Sequence, residues 1–247
     1  MREKASGRTV ENPVVIRPCE SMEEWTECVG LQAQVWKYTD LDVLPATIFA
    51  DAADTGGQVL GAYLEGRLIG FSLAFAGLQN HAPYLHSNMT AVLPEFQSQG
   101  VGRLLKLAQR ADGIARGFRH MEWTFDPLRI PNAHFNLVRL GAVVRRYLPN
   151  IYGTTSSPLH QGMPTDRLLA EWWWESERVV RILRGEPAPL FGETQRVGVP
   201  AFVDPNIQAG IRDRFQQLFQ EDWAAAAFER TAEGGEYIFV PWPALAL

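Results

Sequence analysis

The run Gln97-Ser98-Gln99-Gly100-Val101-Gly102 holds the residues whose types and spacing best suit chemistry. A strand-like stretch from Tyr84 leads into it through Pro94, and a segment of helical period runs on to Gly117. A helix that starts at Gly100 to Gly102 exposes unpaired backbone N–H groups, and glycine there lets a ligand approach the main chain. The loop is therefore an anion site, most naturally for phosphate. If the preceding strand is regular, Tyr84, His86, Asn88 and Thr90 form a polar row on one face. On the helix, Val101, Leu105, Ala108, Ala111 and Ala115 fall in an arc about Leu104 that should pack, with Arg103, Lys106 and Arg110 as a basic flank.

Two phosphate-binding patterns compete. A dinucleotide fingerprint needs GxGxxG and an acidic residue about 20 positions on. Gly100, Gly102 and Glu122 supply part of it, but Leu105 stands at the third glycine, and His86, Ser87, Asn88 and Thr90 interrupt what should be an apolar parallel strand. Gln97-x-x-Gly100-x-Gly102 is the better match. In its setting, AVLPEFQSQGVGRLL, it resembles the QxxGxG pyrophosphate loop of the GNAT superfamily of acyl-CoA-dependent N-acyltransferases. The wording NMTAVLPEFQSQGVGRLLKLAQR, EWTFDPL and NAHFNLVRLGA resembles a bacterial branch of that superfamily with a C-terminal extension.

The whole chain sets bounds on function. Its 247 residues can bury a sizeable core, and 23 basic against 28 acidic residues give a net charge of −5, which argues against general nucleic-acid affinity. The two cysteines, Cys19 and Cys28, make no CxxC or Cys/His cluster, so free thiols and no metal are expected. Neither a membrane-spanning run nor an apolar signal core is evident, which reads as a cytoplasmic protein without membrane partners.

The elements in order support the same fold. Val14 to Ile16 starts a strand, and Ser21 with Glu24 forms a capping box for a helix that carries Trp25, Cys28, Val29, Gln32, Val35 and Trp36 at helical spacing. A short helix from Ala46 to Ala53 follows Pro45, then two strands, Gln58 to Leu64 and Arg67 to Phe75, joined at Glu65-Gly66. After the loop and its helix come strand His120 to Asp126, helix Asn132 to Leu140 with Gly141 as its cap, and strands Ala142 to Leu148 and Leu168 to Trp174. The order is that of the GNAT fold. The expected class is α/β (α+β): a mixed, mostly antiparallel central sheet flanked by helices. Residues 1–12 read as a frayed N-terminus, 13–175 as the acyltransferase core, and 176–247 as an extension packed on the core or at a homodimer interface. Within the extension a Pro/Gly-rich link precedes a helix, Pro205 to Trp223, and a hairpin, Ala225 to Val240, turning at Gly234-Gly235.

The resemblance implies attack of an amine on the thioester of acetyl-CoA or another acyl-CoA. It places pyrophosphate at Gln97, Ser98, Gln99, Gly100, Val101 and Gly102, with Arg103 nearby, and pantetheine against strand backbone at Ala91 and Val92 and against Asn132 and Asn136. The ammonium must first lose a proton, so a base is required. His86 titrates in the useful range and is the first candidate, followed by Asp126 and Glu122. The tyrosine that usually protonates the thiolate, four residues before the glycine equivalent to Gly141, is here Leu137; Tyr147 and Tyr152 are the nearby phenols, with Tyr147 placed first. Trp36 and Tyr38 are candidates for acceptor contact. The implied activity is transfer of an acetyl, succinyl or similar group to a small primary amine such as an amino acid. A protein lysine or N-terminus as acceptor, or an acyl-CoA sensor without catalysis, are the alternatives.

Overall fold

The computed structural model describes residues 14–38, 42–153, 163–190, 192–202 and 204–245. The expected fraying of residues 1–12 lies outside them. The chain opens with β1 (Val15–Pro18), α1 (Met22–Trp36) and α2 (Ala46–Asp54). The Ser21 hydroxyl accepts from the Glu24 amide at 3.3 Å, and the Glu24 carboxylate reaches back to the Glu20 amide at 2.8 Å, so the capping box forms. Then come β2 (Gln58–Leu64), β3 (Arg67–Gln79) and β4 (Ala82–Val92), two successive antiparallel hairpins. Their two-residue turns, Glu65-Gly66 and Asn80-His81, have both residues at positive φ, the twist that tight hairpins require.

After the loop, α3 (Val101–Ala115) crosses to β5 (His120–Phe125), which lies parallel to β4. A dinucleotide-binding α/β unit is thereby excluded, since β4 is antiparallel to β3 on its other side. A helix, α4, begins at Ile130–Ala133 and widens into a π-helical turn over His134–Arg139. Gly141 (φ +80°) follows it in the left-handed conformation expected of a cap. Strands β6 (Val143–Leu148) and β7 (Arg167–Trp173) complete the core.

The two faces of the sheet are distinguished by their partners. Phe71 of β3 meets Phe49 of α2 and Trp36 of α1, edge to face in both cases. Gln58 of β2 points the other way, donating to Gln109 O and Asp112 of α3. Helices α1 and α2 therefore cover the front, and α3 the back. Trp123 of β5 bonds Asn136 at 3.2 Å, which puts α4 on the back as well.

The remaining segment continues the same sheet. It forms α5 (Glu177–Leu183), β8 (Gln195–Pro200), α6 (Pro205–Gln220), β9 (Trp223–Thr231) and β10 (Gly234–Pro241). The strand order is β1-β2-β3-β4-β5-β7-β6-β9-β10-β8. Two expectations need correction here. Part of the link expected to be Pro/Gly-rich is strand β8, whose Val197 and Val199 turn inward between exposed neighbours. The hairpin turns at Ala232-Glu233, and the glycines begin β10; a Cβ on Gly234 would lie 2.1 Å from Val199 O, so close strand approach is what requires glycine.

Phe215 of α6 is buried among Tyr147, Phe219, Tyr237 and Phe239. Arg178 of α5 is buried too, and its guanidinium donates to the carbonyls of Gly141, Leu137 and Ala226, tying α4, α5 and β9 together.

Candidate active site

The loop after β4 is shaped to present amides. Ser98 (φ +61°) and Gly100 (φ +89°) alternate with residues of ordinary conformation, the pattern that turns successive N–H groups toward one point. Among the described residues the amides of Ser98, Gln99 and Gly100 donate to no backbone carbonyl. Gln97 Nε2 donates to Val92 O at 2.9 Å and Gln99 Nε2 to Glu95 O at 2.7 Å, which locks the loop onto the strand end. A Cβ built on Gly100 or Gly102 meets nothing within 4 Å, so the space before the helix end is open. Arg103 stands beside it with a buried Nε that has no hydrogen-bond partner among the described residues.

Strands β4 and β5 share two rungs only, Leu85 with Met121 and His86 with Glu122. Beyond these they splay, and Ser87 to Val92, with Ala91 and Val92 among them, have no ladder partner on that side. The register of β4 against β3 also shifts: Leu73 opposes Met89 but Ala74 opposes Ser87, which makes Asn88 a bulge residue at the mouth of the fork. The expected row of Tyr84, His86, Asn88 and Thr90 on one regular face is therefore broken. Tyr84 and His86 remain on the front.

The front of the fork holds a cluster of titratable groups. Glu122 is nearly buried, lies opposite His86 in register, and has its carboxylate 3.6 Å from His120 Nε2. His120 is stacked between Tyr84 and Trp173. The pKa of His86 is lowered, first by burial; Glu122 opposes the shift and Lys106 adds to it. A histidine held neutral at neutral pH, next to a carboxylate, can accept a proton.

Helix α3 contradicts its expected orientation. Leu104 is exposed, as are Ala111 and Ala115, and the buried side is Val101, Leu105, Lys106, Gln109 and Gly113. Gly113 is needed there because a Cβ would come within 2.1 Å of the Trp174 ring. Of the expected basic flank, Arg110 donates to Trp174 O at 2.8 Å and Arg103 faces a cavity. Lys106 turns inward beneath the fork. Its Nζ donates to Ser87 Oγ at 2.7 Å and lies 4.1 Å above the Trp123 ring, and burial alone depresses its pKa to about 7.

The other candidates are spread more widely. Asp126 accepts from the Leu128 amide at 2.8 Å and pairs with Arg129, the contacts of a turn former just past β5. Tyr147 lies on β6, two strands from β5, with its hydroxyl 2.7 Å from Asp166; burial, then that carboxylate, raises its pKa, which weakens it as an acid. Tyr152 instead reaches Thr124 of β5 at 2.7 Å, on the same face as Glu122. Trp36 and Tyr38 stack at 5.8 Å where α1 ends. Asn132 is exposed at the start of α4, whereas Asn136 is buried and accepts from Trp123.

A cavity of about 680 Å³ opens between Arg103, the end of α4 and residues 182–188 of the extension. Among the described residues, Arg103, Arg139, Arg178 and Arg184 line it with one acid, Glu186. Among the described residues no group of three or more His, Cys, Asp or Glu is placed to hold a metal ion. Nor is any helix there long and apolar enough to cross a membrane.

Comparison with known proteins agrees with this architecture. Solved structures share the fold: yncA from Salmonella typhimurium with its cofactor acetyl-CoA (TM-score 0.54, 14% identity, covering 67% of this chain and 96% of that one) is one. The ribosomal-protein-S18-alanine N-acetyltransferase of Escherichia coli is another (0.52, 16%, covering 65% and 94%). A GNAT-family structure from Desulfovibrio desulfuricans gives 0.51 at 15% identity, covering 65% and 99%. No curated protein matches the chain's sequence. Residues 21–141, from the α1 cap through the fork to Gly141, match the sequence profile of the Acetyltransferase (GNAT) family, and over that stretch the chain carries a domain of the family.

Proposed function

We propose that this protein transfers an acyl group from acyl-CoA to the primary amine of a small metabolite such as an amino acid, with acetyl the first donor to try and succinyl the next. The observation that carries the reading is the joining of two features by β4. An open, amide-lined phosphate loop stands at its end, and a splayed fork with His86 and Glu122 lies upstream. The free amides, the space over Gly100 and Gly102 and the unpartnered Arg103 Nε fit a pyrophosphate. The basic cavity beside Arg103 suits a further phosphate. When bound, acyl-CoA supplies the activated thioester carbonyl.

The protein's own part is positioning and proton transfer. Unpaired backbone amides of β4 beyond His86 are available to the thioester carbonyl and the pantetheine amides. His86, backed by Glu122, takes a proton from the incoming ammonium. Aromatic walls favour a small acceptor: Trp36 and Tyr38 stack at the end of α1, and Tyr38 lies close enough to Asp42, Arg167 and Tyr152 to feel their charges.

The test is a screen of acetyl-CoA and succinyl-CoA against pooled amines, with free-thiol detection and product mass. Acylated small amines are expected. Modification of protein lysines or N-termini alone would redirect the acceptor, and tight acyl-CoA binding with no thiol release would make the chain a sensor.

A further inference from the structure

Lys106 has no evident role in the scheme above, yet it occupies a singular place. The last rung joining β4 and β5 is His86 with Glu122, and the first residues past it are Ser87 and Trp123. Both turn to the back face, and both contact Lys106 Nζ, by a 2.7 Å hydrogen bond and by a ring at 4.1 Å. Met121 Sδ is 3.8 Å away. The ammonium thus sits under the vertex of the fork, on the side of α4, whose Leu137 is fully buried. Among the described residues Lys106 has no ion pair. Burying an uncompensated ammonium is costly, and an apolar side chain of the same length would fill the space without that cost.

We propose that Lys106 is the acid that protonates the departing thiolate of CoA. The inference rests on the acyl-transfer reading. In the step, the amine nitrogen forms a bond to the acyl carbon and the carbon–sulfur bond breaks, its electron pair leaving with sulfur. A proton then passes from Lys106 Nζ to sulfur. The ammonium gives its first proton to His86 before attack; the second, carried by the nitrogen once the new bond forms, passes to water, and exchange with solvent returns His86 and Lys106 to their starting states. An ammonium that titrates at about 7 is a strong enough donor, because a free thiol holds its proton up to roughly 8.5. The surrounding groups leave the lysine free to act. On α3 its neighbour Gln109 is neutral, Arg103 faces the cavity and Arg110 is held by Trp174 O; Asn136 on α4 is neutral; His86, Glu122 and His120 lie on the opposite face of the sheet.

The experiment follows thiol release from acetyl-CoA, with hydroxylamine and with the best amine of the screen, across pH. Wild-type kcat should fall on the alkaline side with an apparent pKa near 7. Lys106→Met should lose kcat by about 10²-fold or more and lose that limb, while still binding acetyl-CoA in calorimetry. Ser87→Ala removes an acceptor that favours the charged lysine, so it should stay active with the limb moved to lower pH. Tyr152→Phe should leave the limb in place. Retention of kcat and limb by Lys106→Met, an unmoved limb in Ser87→Ala, or a limb that follows Tyr152→Phe would each overturn the assignment while leaving acyl transfer intact. Should Lys106→Met not fold, the Ser87→Ala profile decides. Thiol release by wild type no faster than the uncatalysed reaction with every nucleophile would overturn acyl transfer and the lysine's role together.

Discussion

At the residue scale, the proposed chemistry turns on two side chains, His86 and Lys106, whose charge states burial has shifted in the same direction. His86 is held below its usual 6.5, so kcat should rise with pH through an apparent value below that figure. His86→Ala should cost 10² to 10⁴-fold in kcat, the ordinary range for a general base. Near-wild-type turnover with an unchanged acid limb would move the role to Glu122, its partner in register. Lys106 makes a prediction about stability as well. Unfolded, it keeps its proton up to its ordinary 10.5, and folded it releases it near 7. Unfolding therefore takes up a proton between those values, so this group's contribution makes stability rise with pH across that window. The cost at pH 7 and below is on the order of a few kcal/mol. Urea melts of wild type and Lys106→Met should show the variant more stable at pH 7 and the two converging toward pH 10. A variant less stable at pH 7 would show that the lysine's contacts outweigh its desolvation. His86 was legible as a titrating residue beside a phosphate loop. Lys106 was not, because a hydropathy pattern assigns every lysine to solvent.

At the element scale, β4 and α3 do the positioning, and each departs from an ideal repeat. The bulge at Asn88 could not be read from the residues, since a one-residue register shift leaves the alternation of a short polar strand looking regular. The α3 stripe was misread by one position. Centring it on Leu105 rather than Leu104 brings Lys106, Gln109 and Gly113 inward, and Gly113 under Trp174 was the available signal. The loop's conformation was legible, because glycines at a strand–helix junction mark a tight turn into a helix. Gly102→Val should raise the KM for acyl-CoA at least tenfold with the melting temperature little changed, since a side chain there meets only the space left for ligand. Gly113→Ala is the contrasting case. It should destabilise by about 1–3 kcal/mol through overpacking on Trp174, with KM unchanged in the molecules that remain folded.

At the scale of the whole molecule, the order of elements through β7 was legible because the capping box at Ser21, the Glu65-Gly66 turn, the loop glycines and the cap at Gly141 each carried a signal, whereas the Asn80-His81 turn carried none that was read. The C-terminal third was harder. Strand β8 is a short edge strand with two inward valines, too brief to stand out from its proline- and glycine-rich surroundings. We propose that residues 176–247 act as one unit with the 13–175 core rather than as an appendage. Arg178 binds three carbonyls across α4 and β9, and Tyr237 Oη donates to Pro127 O at 2.8 Å. Arg178→Leu strands those carbonyls and should cost about 2–4 kcal/mol in denaturant melts, whereas a loss under 0.5 kcal/mol would mean that water replaces the guanidinium.

The central claim, that the fork and loop together catalyse N-acyl transfer from acyl-CoA, is tested most directly by mass detection of products after incubating the full chain with acetyl-CoA and a broad amine pool. An acetylated small amine, formed in step with free thiol and lost in Gly102→Val at limiting acetyl-CoA, is the predicted result. Thiol release and product at background across the pool, from protein that binds acetyl-CoA, would contradict it.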